Sequence, residues 1–234
     1  DGLNPYNQEV TLLSQQGIYG RPALATEDQV AFAYPPYILL IMLPTLFFGF
    51  DWAQAGWLAF NILALTICLM TTFRKSPVWM PISFVFFYPL ALGLILGNFS
   101  TIIAAIWLAL FSSFFASKKI PSNQIQWLIG VLLAYSTIKP QLTWFLILFG
   151  IVLAIHKKLW RIIISFTLSI LILFAISWLL VPTWVTDWLN AIYAYSQYTN
   201  TGQPYFTLIN WMIPTAHFSY QWLLTAVLML LTLV

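Results

Sequence analysis

Seven of the nine basic residues fall in three short clusters: Arg74-Lys75, Lys118-Lys119, and Lys157-Lys158 with Arg161. Each cluster lies between long apolar runs. All six acids, Asp1, Glu9, Glu27, Asp28, Asp51 and Asp187, lie elsewhere. Segregation of Lys and Arg into alternate short loops is the positive-inside pattern of a polytopic membrane protein. The clusters therefore mark the cytoplasmic side, and the two remaining cations, Arg21 and Lys139, need a separate explanation. Charged residues make up 6% of the chain and hydrophobic ones 61%, with a mean hydropathy of +0.87. A soluble domain is about a quarter charged, so this surface is not built for water. The expected fold is all-α: a polytopic membrane helical bundle with about seven or eight membrane segments.

The net charge of +3 comes from separate topogenic loops, not from one basic patch, and so does not imply nucleic-acid binding. Cys68 is the only cysteine, which leaves no intrachain disulfide. There is no CxxC or HExxH spacing, and His156 and His217 are far apart, so no dedicated transition-metal site is expected. The chain opens on the polar stretch Asp1 to Asn7 and ends inside an apolar run, Trp222 to Val234. It is expected to be one transmembrane domain over 1–234, truncated at both ends.

Apolar segments are expected at 36–50, 52–71, 77–96, 99–116, 126–138, 141–155, 159–181 and 221–234, with Pro44, Pro81 and Pro89 interrupting theirs. Short or proline-broken helices are tolerated where backbone lines a protein-buried or watery cavity. Counting from the basic clusters places Gly97-Asn98, Lys139 and a polar-aromatic loop at 182–220 on the outer face, and Arg74-Lys75 inside. A full span at 36–50 would put residues 1–33 inside. A re-entrant segment between 36 and 96 keeps them outside, and an outer loop over 1–33 is the favoured reading.

Lys139 stands out as a cation at a helix end away from the cytoplasmic clusters. It precedes Pro140, and proline favours the first helical position, where free N–H groups attract anions. Phosphate binding and a snorkelling interfacial lysine both fit this position. Gly97-Asn98 opens another outer-side helix, with Asn98 able to cap it. Asn98-Phe99-Ser100 also matches the glycosylation sequon, discounted at a membrane edge. Tyr34-Pro35-Pro36 is a helix-entry signal. In the 182–220 loop the Trp and Tyr residues suit a membrane interface, with some available to stack on sugars. Asp187 between Trp184 and Trp188 fits an amphipathic interfacial helix, and His217 is the loop's one histidine. Glu27 and Asp28 are weak candidates for a general base and better suit capping or solvating a short helix.

Taken in order, Gly2-Leu3-Asn4-Pro5-Tyr6, Phe32-Ala33-Tyr34-Pro35-Pro36, Gly97-Asn98 and Lys139-Pro140 followed by an apolar helix and a basic loop resemble glycosyltransferase family 87. The resemblance spans residues 2 to about 161. This family contains the polyprenol-phosphate-mannose-dependent mannosyltransferases of the GT-C superfamily. The resemblance implies a GT-C-like integral membrane enzyme of the plasma membrane, with an extracytoplasmic active site. It implies a polyprenyl-phosphate-linked sugar donor, a lipid or cell-envelope glycan acceptor, and contact with membrane lipids. It implies that no essential soluble cofactor is needed. It implies that Lys139, Asn98, Gly97, Tyr34 and Tyr6 bind substrate, and His217 in the 182–220 loop is a further substrate-binding candidate from the residues alone. The family's catalytic Asp sits in the first outer loop upstream of the NPY-like turn, and so is expected before residue 1. Asn98 stands where the family usually has Gln, keeping the amide on a shorter stem. The alternatives are a lipid-linked saccharide transporter or flippase, and a non-enzymatic membrane scaffold.

Overall fold

The computed structural model describes residues 3–24, 27–77, 79–83, 88–115 and 120–198. Every regular element among them is helical. The chain divides into two units, Asp1–Ala33 with Thr186–Val234, and Tyr34–Val185.

In the first unit, Asn4-Pro5-Tyr6 forms a turn in which Asn4 Oδ1 accepts the Tyr6 N–H at 3.1 Å. Helix α1 (Gln8–Tyr19) follows and ends at Gly20, whose φ of +68° gives the left-handed cap that glycine adopts without strain. The returning chain is tied to α1 by buried Gln15. Its amide donates to the Gln29 carbonyl at 2.8 Å and accepts from Ala23 N–H at 2.9 Å. The region expected to be a loop at 182–220 contains a helix over its described part, α10 (Trp184–Tyr198), in keeping with the amphipathic reading around Asp187. Trp188 Nε1 donates to the Ala33 carbonyl at 3.2 Å.

The second unit holds the long apolar helices. A 3-10 turn (Pro36–Ile38), α2 (Leu39–Met42) and a second 3-10 turn (Leu43–Phe47) precede α3 (Phe50–Thr72). The short helices α4 (Trp79–Ser83) and α5 (Tyr88–Ile95) come next, then α6 (Ser100–Leu110) running into a π-helical turn (Phe111–Phe115). Helices α7 (Asn123–Tyr135), α8 (Pro140–His156) and α9 (Trp160–Leu180) complete the unit.

Among the described residues, α3 with 23 residues and α9 with 21 are long and apolar enough to cross a membrane. The remaining described apolar helices are shorter, so two of the expected seven or eight segments have full membrane length among the described residues, and the segment at 221–234 lies outside them. Both long helices are mostly exposed, with 22% of their most apolar windows buried. That exposure separates them from the core helices of a soluble protein. Their outward faces suit lipid.

Packing gives the helices alternating directions. Trp57, early in α3, donates to the Gly97 carbonyl at 2.9 Å, and Thr72 at its far end donates to the Leu108 carbonyl at 3.1 Å. Helices α3 and α6 are therefore parallel. The buried stripe Trp57, Asn61, Leu65, Leu69 of α3 has the four-residue spacing of one helix face. At the far end of α6, Leu110 and Phe114 cluster with Ile129 and Leu133 of α7, Ala154 of α8, and Leu159 and Ile162 by the start of α9. Lys157 lies at this same end, its Nζ 5.6 Å from the Phe114 ring. One end of the unit thus gathers the described basic clusters, and the other gathers Gly97, Asn98 and Lys139.

The apolar segment expected at 36–50 is present as the short helical stretch Pro36–Phe47, less than a full span. At 1.5–2.0 Å per residue, Pro36 to Phe47 reaches only about 20 Å, against the ~30 Å of a hydrocarbon core. Tyr37 at its start donates to or accepts from Thr137 Oγ1 at 2.8 Å, at the Lys139 end. Helix α3 begins at that end as well. Both ends of the segment therefore lie toward the Lys139 end of the unit.

The α8–α9 turn has a sequence-specific strain. Leu159 N–H donates to the Ala154 carbonyl at 2.8 Å and Lys158 N–H to that of Ile155 at 3.0 Å, closing the helix with a Schellman motif. The left-handed position, φ +56°, is occupied by Lys158 instead of glycine. Lys158→Gly is expected to raise stability by about 1 kcal/mol, read as a higher midpoint of thermal unfolding in detergent.

Candidate functional site

The same helix-ending motif at α5 builds one wall of the site. Asn98 N–H donates to the Gly93 carbonyl at 2.8 Å and Gly97 N–H to that of Leu94 at 3.1 Å. Gly97 takes the left-handed position at φ +60°, and its carbonyl is fixed by Trp57. This turn delivers Asn98 to the start of α6, where Asn98 Oδ1 accepts the Ser100 N–H at 3.0 Å. The capping role expected of Asn98 is present. A β-carbon at Gly97 would also lie 3.4 Å from the Trp57 ring. Gly97→Ala is expected to lower stability by about 1 kcal/mol through the backbone and, in an activity assay, to raise the donor KM by displacing Asn98.

Lys139 arrives from the other wall. Helix α7 runs into a 3-10 turn (Ser136–Ile138), Lys139 follows with φ −123° and ψ 75°, and Pro140 starts α8. A residue before proline is held out of the helical region, so the chain must turn at Lys139. Thr143 locks the turn, donating to the carbonyls of Ser136 at 2.8 Å and Lys139 at 3.1 Å. Lys139 Nζ then reaches across to α6. It donates to Asn98 Oδ1 at 2.6 Å and Ser100 Oγ at 2.9 Å, and sits 5.3 Å from the centre of the Tyr34 ring. Tyr34 stands edge-on to Phe99 at 5.2 Å.

Lys139 is only 8% exposed. Among the described residues the one ion pair is Arg21–Glu27, so this buried ammonium is held by neutral oxygens and an aromatic face without a carboxylate. Burial pushes its pKa down to about 8. Two of its three N–H donors are used within the site. A desolvated cation lacking a fixed counter-ion favours an anionic ligand.

The structure brings Lys139, Asn98, Gly97 and Tyr34 together. Tyr6 belongs to the other unit, edge-on to Phe32 at 5.3 Å, and His217 lies outside the described residues. Glu27 is committed to Arg21 by two hydrogen bonds of 2.7 and 2.8 Å and also accepts the Leu24 N–H at 2.8 Å. The Arg21 guanidinium, helped by that backbone bond, holds its carboxyl at about 2, which makes it a weak base. The same pair gives Arg21 its partner. Asp28 Oδ1 accepts the Val30 N–H at 2.9 Å within its own loop. Sequence reasoning missed Ser100 as a Lys139 partner. Its signal lay in the discounted sequon, whose Asn98 is turned inward to Lys139.

A family model described as glycosyltransferase family 87 matches residues 32–234. The chain belongs to glycosyltransferase family 87. The match includes Phe32 to Pro36, Gly97-Asn98 and Lys139-Pro140, and extends beyond residue 161 to the end of the chain. Residues 1–31, with the Asn4-Pro5-Tyr6 turn, lie outside it. No curated protein and no solved structure matches. Family membership makes this chain a glycosyltransferase, which decides against a scaffold or a dedicated flippase. The two helices long and apolar enough to cross a membrane fit a membrane glycosyltransferase.

Proposed function

We propose that this family 87 enzyme is a multi-pass protein of the plasma membrane. It transfers a hexose, mannose being the first candidate, from a polyprenyl-phosphate donor to a lipid or cell-envelope acceptor on the extracytoplasmic side. The observation that supports this reading best is Lys139: buried, cationic, fixed by Asn98 and Ser100, and opposed by no carboxylate among the described residues. A lipid phosphate held at a bilayer surface would supply the missing negative charge. Charge grows on that phosphate as the glycosidic bond breaks, and a prearranged ammonium stabilises it. Asn98 and Ser100 keep the ammonium in place without neutralising it. Tyr34 shields the site from water. The clustering of Lys139 at the end opposite the described basic loops supports an outer-face site under the positive-inside rule. A carboxylate would take the proton of the acceptor hydroxyl.

Proteoliposomes carrying the protein test this. With labelled polyprenyl-phosphate-mannose and a crude lipid acceptor, label is expected in a new lipid. Transfer from a nucleotide sugar instead would overturn the donor assignment. Protected movement of intact donor across the bilayer, without transfer, would overturn the reading altogether.

A further inference from the structure

Within the unit formed by Asp1–Ala33 and Thr186–Val234 lies a cavity of about 420 Å³. It is bounded by the turn after Asn4, the start of α1, Phe32 and the first turns of α10. Small-molecule sites span ~300–1,000 Å³. The lining combines three kinds of group. Tyr6 and Phe32 form an aromatic wall, edge-on at 69°. Asn7, Gln8 and Asn190 supply side-chain amides. Asp187 supplies a carboxylate whose Oδ2 accepts from Asn4 Nδ2 at 3.0 Å, a bond that fixes its direction from 183 residues away in sequence.

This chemistry selects among ligands. No Lys or Arg is among the described lining residues, and a carboxylate repels a phosphate. A bare lipid tail would leave the side-chain amides of Asn7, Gln8 and Asn190 facing hydrocarbon, which is costly. A pyranose satisfies all three groups. Its hydroxyls donate to the carboxylate and exchange hydrogen bonds with the amides, and its C–H face rests on an aromatic ring. We infer that this cavity is a binding site for a neutral carbohydrate, the sugar of the acceptor, with Asp187 and Asn190 receiving its hydroxyls. The inference rests on the glycosyl-transfer reading for its biological meaning. The two sites then divide the substrates by charge: the Lys139 ammonium suits a phosphate donor, and the Asp187 carboxylate an uncharged acceptor.

Saturation-transfer NMR on the full chain in nanodiscs, with octyl α-D-mannopyranoside as probe and 1-octanol as control, tests the site. Saturation is expected on the sugar protons. Asp187→Ala should weaken binding about ten-fold and Asn190→Ala by several-fold, while Lys139→Ala leaves it unchanged. Asn190 is exposed, so its variant remains informative should loss of the Asn4–Asp187 tie unfold the turn. Saturation confined to the alkyl chain, sugar binding indifferent to Asn190→Ala, or equal loss in Lys139→Ala would overturn the inference. A protein that binds no glycoside but still transfers sugar through Lys139 would sink this site and leave the donor reading standing. Glycoside binding lost in Asn190→Ala, without any transfer, would do the reverse.

Discussion

Replacing Lys139 with alanine is expected to lower sugar transfer about a hundred-fold or more, with helix content and membrane insertion unchanged. The magnitude follows from removing one prearranged donor to a charge that develops in the transition state. Structural damage should be small, because the ammonium is a desolvated cation with no ion-pair partner among the described residues and its removal relieves that burden. The pH profile gives a second check. Burial holds the Lys139 pKa near 8, and only the protonated form attracts phosphate. Donor affinity should therefore be full below pH ~8 and fall as pH rises through it. Lys139→Arg, whose guanidinium stays charged, should flatten that fall. A steep alkaline fall that persists in Lys139→Arg would assign the titration to another group.

Gly130→Ala should destabilise the protein by about 2–3 kcal/mol, although alanine is the better helix former by about 1 kcal/mol in an isolated helix. A β-carbon at Gly130 would lie 2.5 Å from Ser165 Cβ, 2.6 Å from the Ile162 carbonyl oxygen and 2.7 Å from Phe166 N. Two of these atoms belong to the α9 backbone and cannot rotate aside, so α7 and α9 must separate. That separation would stretch the hydrogen bond from Ser165 Oγ to the Trp127 carbonyl, now 2.7 Å. Close approach through a small residue is how membrane helices gain contact when lipid supplies no hydrophobic drive. Thermal unfolding of the variant in detergent reads the effect directly. Activity should fall with it, because α7 leads through the Ser136–Ile138 turn into Lys139.

The features written into local sequence were legible before the structure. Proline after Lys139 marks the start of α8, and the glycine at 97 marks a left-handed turn before α6. Charge segregation gives the alternation of α3 and α6 to α9. Hydropathy located the apolar segment at 36–50 but left its length open, since it records how apolar a stretch is and not whether the backbone remains one helix. Two 3-10 turns around Pro44 shorten that stretch. The helix Trp184–Tyr198 was legible in part, from Asp187 set between Trp184 and Trp188, but not its extent. Its partner Asn4 is too distant in sequence for any local pattern to reveal their bond. Glu27 looked like a base among few acids, and only geometry shows it spent on Arg21.

The half-entering segment Pro36–Phe47 also bears on how the chain is built into a membrane. A stretch of this length, broken by Pro44, is a poor stop signal for insertion machinery that recognises ~20 apolar residues. The first helix of this unit long and apolar enough to cross is α3, with the exposed aromatic group Phe47, Phe48, Phe50 and Trp52 at its start. Tyr37 can settle against Thr137 only after α7 has been made, a hundred residues later. The contact that holds the start of residues 36–47 thus depends on a part of the chain made much later.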